Sequence, residues 1–151
     1  MTIESHSAEE TRSLGERLGR ALLAGDVLLL SGELGAGKTL FVQGLARGLG
    51  FAGPVSSKSF VIVGEYAGRE KLYHADLYRL DDPALVQDLA LDEIASDGVL
   101  AVEWPERAGS VLPDVGLHVR FEVTSEDTRR LHIEPRGERA TALAATLRDG
   151  V

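Results

Sequence analysis

Gly32-Glu33-Leu34-Gly35-Ala36-Gly37-Lys38-Thr39 is the stretch whose reading decides the fold of this chain. It fits the P-loop pattern: a glycine, four free positions, then Gly-Lys-Ser/Thr. The spacing has a chemical reason. Gly35 and Gly37 can take backbone angles closed to other residues and let phosphate oxygens approach the chain. Successive backbone N–H groups then line one concavity, and a helix starting near Lys38 adds its positive end. Leu34, Gly35, Ala36, Gly37, Lys38, Thr39 and Leu40 are therefore expected to wrap a nucleoside triphosphate. Lys38 is expected to reach the β- and γ-phosphates, and the Thr39 hydroxyl to join a Mg²⁺ shell. A glycine-rich turn with a chance lysine is the alternative, and the flanks argue against it. Val27-Leu28-Leu29-Leu30 reads as a short buried strand, while Phe41, Leu45 and Leu49 recur at helical spacing before Gly50.

The 151 residues read as one domain, 1–151, with a hydrophobic fraction of 44% and a charged fraction of 26%. No apolar run approaches the roughly 20 residues needed to span a bilayer. Met1 to Glu10 hold three glutamates and no Lys or Arg, unlike a signal peptide. The expectation is a cytoplasmic protein with no membrane role. The absence of cysteine excludes disulfides, thiolate metal sites and thiol nucleophiles. A net charge of −8 argues against autonomous tight binding to nucleic acid, so any nucleic-acid role should run through another protein.

Along the chain, Ser7-Ala8-Glu9-Glu10 is a capping box for a helix with Leu14, Leu18, Ala21 and Leu22 on one face, ending near Gly25. Thr11 lies in its first turn and reads as a surface threonine. Phe51 to Ser59 reads as a loop passing near the γ-phosphate. Phe60 to Val63 begins a strand, Ala67 to Glu70 a turn, and Leu72 to Leu80 a second strand containing Asp76. Asp81-Asp82-Pro83 opens a helix with Leu85, Leu89 and Ile94 facing inward. Val99 to Val102 is an apolar central strand ending in Glu103. Leu117 to Val123 and Leu131 to Ile133 form an antiparallel pair around the turn Thr124 to Thr128, and a last helix runs from Glu138 to Leu147. The expected architecture is α/β, a P-loop NTPase-like three-layer fold with a mixed parallel/antiparallel sheet.

A P-loop needs a carboxylate near its metal, and Asp76 and Glu103 both follow strand-like runs. The run before Glu103 is the more strictly apolar, so Glu103 is the expected metal-side acid and Asp76 the one that orients or deprotonates the attacking water.

The segments Gly32 to Thr39, Tyr73-His74-Ala75-Asp76-Leu77-Tyr78-Arg79-Leu80, Val102-Glu103-Trp104-Pro105-Glu106 and Val111-Leu112-Pro113-Asp114 occur in an order that resembles the TsaE (YjeE) family. The resemblance covers about Thr11 to Ile133. It implies a slow Mg²⁺-dependent ATPase, required with a TsaB–TsaD complex for threonylcarbamoyladenosine modification of adenosine 37 in tRNA. It also implies that Thr39 and Glu103 hold Mg²⁺ and that Asp76 is catalytic alongside Lys38. Thr11 would then lie near the nucleotide and Trp104 beside the site, as core anchor, site neighbour or both. A late-strand basic residue of the family is matched by Arg130, with Arg129 adjacent. The loop departs from the family's Ser-Pro-Thr-Phe/Tyr: Ser57-Lys58-Ser59-Phe60 keeps a hydroxyl at the catalytic Ser59 position but replaces the proline with Lys58. A small-molecule kinase and a GTPase-like binding switch are the competing readings. Little room for an arginine-rich lid after Asp76 disfavours the first, and the lack of an Asn-Lys-X-Asp motif disfavours the second.

Overall fold

The computed structural model describes residues 1–53, 63–80, 82–109 and 111–148. Among the described residues, seven strands form one mixed sheet: β1 (Thr2–Ser5), β2 (Val27–Gly32), β3 (Val63–Tyr66), β4 (Lys71–Asp76), β5 (Gly98–Glu103), β6 (Gly116–Val123) and β7 (Arg129–Arg136), in the order β1-β7-β6-β2-β5-β4-β3. The α-helices are α1 (Ala8–Ala21), α2 (Lys38–Gly48), α3 (Pro83–Asp88), α4 (Leu91–Ile94) and α5 (Glu138–Arg148).

The centre of the sheet is parallel. β2 lies between β5 and β6, and β4 extends the parallel set beyond β5. Of these, β2 and β5 have the most continuously apolar sequences, as burial on both faces requires. Every residue of β5 is buried. Antiparallel pairing occurs at both sides, in β3–β4 and in β6–β7–β1, where one side was expected. β1 was not foreseen, because Thr2-Ile3-Glu4-Ser5 has a single large apolar residue. Its partners on β7 (Ile3 beside Leu131, Ser5 beside Arg129) make it a strand.

Two cores flank the sheet. The larger packs α1, α2 and α5 against Leu28, Leu30, Leu117, Val119, Phe121, Leu131 and Ile133. The smaller joins Leu29, Leu100, Val102, Tyr73 and Ala75 to Val86, Leu91 and Ala108 on the other face. Among the described residues, this second core draws nothing from β1, β6 or β7. Their outer face is polar, with Arg130 in ion pairs to Glu4 (3.2 Å) and Glu122 (3.8 Å).

Local chemistry sets the boundaries. Ser7 caps α1 by accepting from the Glu10 N–H (3.1 Å), and Glu10 reaches back to the His6 N–H (2.6 Å), one residue before the cap. The second strand ends at Asp76 rather than Leu80, because the Leu77 N–H turns to the Glu103 carbonyl and Asp76 accepts from the Tyr78 N–H. Asp82 caps α3 at Ala84, and Ala90 at φ 49° breaks the helix after two turns. Val86 therefore points inward, while Leu85 is 46% exposed and Leu89 partly buried. The side chain of Ile94 and the structure of Phe60 to Ile62 lie outside the described residues.

α1 and α2 approach backbone to backbone. A Cβ on Gly15 would lie 2.2 Å from the Phe41 carbonyl oxygen, and one on Gly19 2.5 Å from that of Leu45. Gly44 and Gly48 return the contact against the Arg12 and Glu16 carbonyls, at 2.1 and 2.2 Å. Gly44→Ala therefore gains about 1 kcal/mol in helix propensity but forces helix backbones apart, a clash that costs about 3 kcal/mol. A fall of about 2 kcal/mol in urea-unfolding stability is expected. A midpoint equal to that of the unmutated protein would show that the helices separate freely.

Candidate nucleotide site

The glycine loop connects β2 to α2 at the C-terminal end of the parallel strands, where ligands bind in open α/β sheets. Gly37, at φ 107°, caps α2 without a side chain, and Gly35, at φ 77°, has open space where a Cβ would stand. Any other residue at Gly37 would be strained by that left-handed conformation, although a Cβ there would meet the Thr11 methyl at an ordinary 3.6 Å. The loop opens onto a cleft of about 270 Å³ lined by Leu34, Gly35, Gly37, Lys38, Thr39, Leu40, Asp76, Glu103 and Trp104. A larger groove of about 620 Å³ runs along β1 and α1 past Ser13, Arg17 and Arg148. It shares no lining residue with the loop, and the chemistry favours the smaller cleft.

The acids reach the cleft through strand register. Glu103 pairs with Leu30 on one side and with Asp76 on the other, so both carboxylates end on the rung where β2 enters the loop. Glu103 is 3% exposed and lies 2.5 Å from the His74 imidazole, itself buried. His74 was not singled out in the sequence. Its signal is a polar residue inside the buried run Leu72 to Ala75, two positions before Asp76.

Lys38 is 4% exposed. Its ammonium donates to the Gly32 carbonyl and lies 3.8 Å over the Trp104 ring. Burial pushes its pKa below the usual lysine value, while the negative fields of Glu103, Glu106 and Asp76 oppose that shift. Trp104 holds a left-handed conformation, φ 59°, which is costly for a bulky residue. It is fixed there by its N–H to the Leu30 carbonyl (3.1 Å) and by Pro105, which opens the turn Pro105–Ala108. Tyr78 packs on the same indole at 5.0 Å. Trp104 is thus both a core neighbour and a wall of the cleft.

Other expected residues fall differently. Thr11 is 1% exposed, which corrects the surface reading. Its hydroxyl pairs with that of Ser5 at 2.7 Å, and its methyl faces Gly37 from beneath the loop. Arg130 points away from the loop to Glu4 and Glu122, a correction that follows from strand parity. Leu131 and Ile133 face the helices, so Arg129 shares their side and donates to the Gly35 carbonyl at 3.4 Å. Ser59 and Lys58 lie outside the described residues.

The fold and loop define an α/β protein with a P-loop-type sequence at a strand–helix junction of a mixed sheet. Residues 5–131 match the family model for the threonylcarbamoyl adenosine biosynthesis protein TsaE, and the chain belongs to that family. A tRNA threonylcarbamoyladenosine biosynthesis protein TsaE from Nostoc sp. is 43% identical over 134 residues, covering 84% of this chain and 81% of that protein. The protein of the same name from Streptomyces coelicolor is 41% identical over 145 residues, covering 90% and 98%. The crystal structure of Bacillus subtilis YdiB superposes with a TM-score of 0.83 at 33% identity, covering 99% of this chain and 95% of that one. Among the described residues no helix is long and apolar enough to cross a membrane.

The pKa values of Lys38 and Lys71 are shifted in opposite directions. Lys38 is held low mainly by burial, whereas a hydrogen bond to Glu65 holds exposed Lys71 high. The lower folded pKa of Lys38 means that its burial penalty is present below that pKa and is relieved as pH rises towards 10.5. In NMR titrations of ¹³C-methylated lysines, Lys38 should lose its proton first. A shared midpoint would contradict the burial of the ammonium.

Proposed function

We propose that this chain is a Mg²⁺-dependent ATP-binding protein and slow ATPase that serves threonylcarbamoyladenosine formation at adenosine 37 of tRNA, working with a TsaB–TsaD complex. The observation that carries the reading is the convergence of Lys38, Thr39, Asp76 and Glu103 on one small cleft at the end of the parallel strands. The relatives' shared name supports the pathway.

The residues fit the cofactors. A buried carboxylate and a hydroxyl are hard oxygen donors of the kind Mg²⁺ takes, and the open space at Gly35 suits phosphate oxygens. Bound Mg²⁺ would draw off phosphate charge as the γ-phosphoryl group leaves. Thr39 and Glu103 would hold it. The loop N–H groups and Lys38 orient the phosphates, and moving from the Trp104 face to phosphate restores a counter-charge to the buried ammonium. Asp76 accepts the proton of the attacking water or orients it.

The tRNA is expected to be reached through partners, because the chain carries −8 overall. Leu34 is 63% exposed at the mouth and Tyr78 37% exposed beside Trp104. They give the rim an apolar surface on which the TsaB–TsaD pair docks, more tightly with ATP than with ADP.

Lys38→Ala should weaken ATP binding about 10- to 100-fold, the loss expected for a charge-assisted phosphate contact, without unfolding the protein. Equal calorimetric affinities would reject the phosphate assignment. Asp76→Asn should leave ATP binding nearly intact and slow phosphate release on the order of 10²-fold or more, read with and without purified TsaB–TsaD. Unaltered release would remove Asp76 from the chemistry, and a phosphorylated acceptor in place of free phosphate would favour a kinase.

A further inference from the structure

We propose that His74 is a positioning residue that locks the Glu103 carboxylate in place through an imidazole N–H, keeping it directed to the cleft and off Lys38. The inference rests on the reading of Glu103 as the metal-side acid.

The two side chains stand on neighbouring parallel strands and on the same face. His74 pairs in register with Ala101, and Glu103 with Asp76, so His74 lies two residues deeper on β4 than the acid across from Glu103. Nε2 of His74 and Oε2 of Glu103 are 2.5 Å apart, and both side chains are 4% exposed. The surroundings offer no reason of packing for a polar ring. Leu72, Val99 and Ala101 on the same face belong to the main core, where a leucine would be at home. Burying an imidazole and a carboxylate costs desolvation that an apolar pair avoids, so the pair is not a stability device by default.

What the contact does provide is direction. A glutamate has three side-chain torsions, and at Glu103 a competing partner is near. Among the acids acting on Lys38, Glu103 exerts the largest field. A carboxylate free to swing would settle on that ammonium, spending on each other the anion meant for metal and the cation meant for phosphate. Holding Oε2 from beneath removes that option and leaves the other oxygen to serve as the metal donor. The ring supplies this N–H when Nε2 carries the proton. Hydrogen bonds to ligating carboxylates tune metal affinity about 10- to 100-fold in other sites.

The test compares the unmutated protein with His74→Leu, His74→Gln and His74→Asn by calorimetry of a non-hydrolysable ATP analogue across a Mg²⁺ series and in EDTA. Gln carries an N–H to about the position of the ring Nε2, and the Asn amide stops short of it. His74→Leu should raise the Mg²⁺ concentration at half-effect about 10-fold while changing affinity in EDTA less than about twofold. His74→Gln should recover most of the loss and His74→Asn should not. If His74→Leu does not fold, the Gln-against-Asn contrast decides. A Mg²⁺ dependence unchanged in His74→Leu, or equal in the Gln and Asn variants, would overturn the positioning role. Glu103→Gln run alongside separates the two levels. If it also leaves the Mg²⁺ dependence unchanged, the metal assignment of Glu103 fails; if it shifts it and the His74 variants do not, only the inference fails.

Discussion

The rung Leu30–Glu103–Asp76 is the constraint on which the site depends. Parallel pairing fixes which residues stand abreast, and a shift of one residue would turn each side chain to the other face. With β5 in its observed register, Glu103 ends beside the entry to the glycine loop and Asp76 ends beside Glu103. The apolar residues behind them hold that register. Leu28, Leu30, Val99, Ala101 and Leu72 on one face, and Leu29, Leu100 and Val102 on the other, all leave water only in this alignment. The core and the placement of the two acids are therefore consequences of one pairing pattern.

Charge at the mouth is balanced rather than neutralised. Lys38 is desolvated and feels the fields of three acids, yet among the described residues its ammonium donates to a carbonyl and lies over an aromatic face. Such contacts hold a cation without committing it to a carboxylate, because a ring quadrupole and a single carbonyl attract it less than an ionic partner does. The left-handed turn at Trp104 is what places the indole there. It follows directly from ending β5 at Glu103, and the adjoining Pro105 and the Leu30 carbonyl hold it.

Much of this was legible in the sequence because its signals are local. Val27 to Leu30 and Val99 to Val102 are continuous apolar runs, and each proved to be a central strand. The glycine loop follows from residue type and spacing alone. What escaped depends on residues far apart in the chain. β1 exists through its pairing with a strand about 130 residues later. Arg129 and Arg130 differ only in parity, which becomes decisive once Leu131 and Ile133 are known to face the helices. The helix α3 was foreseen, but its length was not, since the break at Ala90 has no glycine or proline to announce it. His74 sat in an apolar run and drew no notice until its partner from another strand was beside it.

The four glycines between α1 and α2 let the two helices meet backbone to backbone. Their arrangement limits how this chain can diverge. Because each faces the partner's main chain rather than a side chain, no compensating mutation across the interface can make room for a methyl group. A neutral path away from Gly15, Gly19, Gly44 or Gly48 would require the helices to re-dock as a unit, carrying Thr11 and the base of the glycine loop with them. The interface therefore resists stepwise drift more strongly than the leucine core around it, where a change in one side chain can be answered by another.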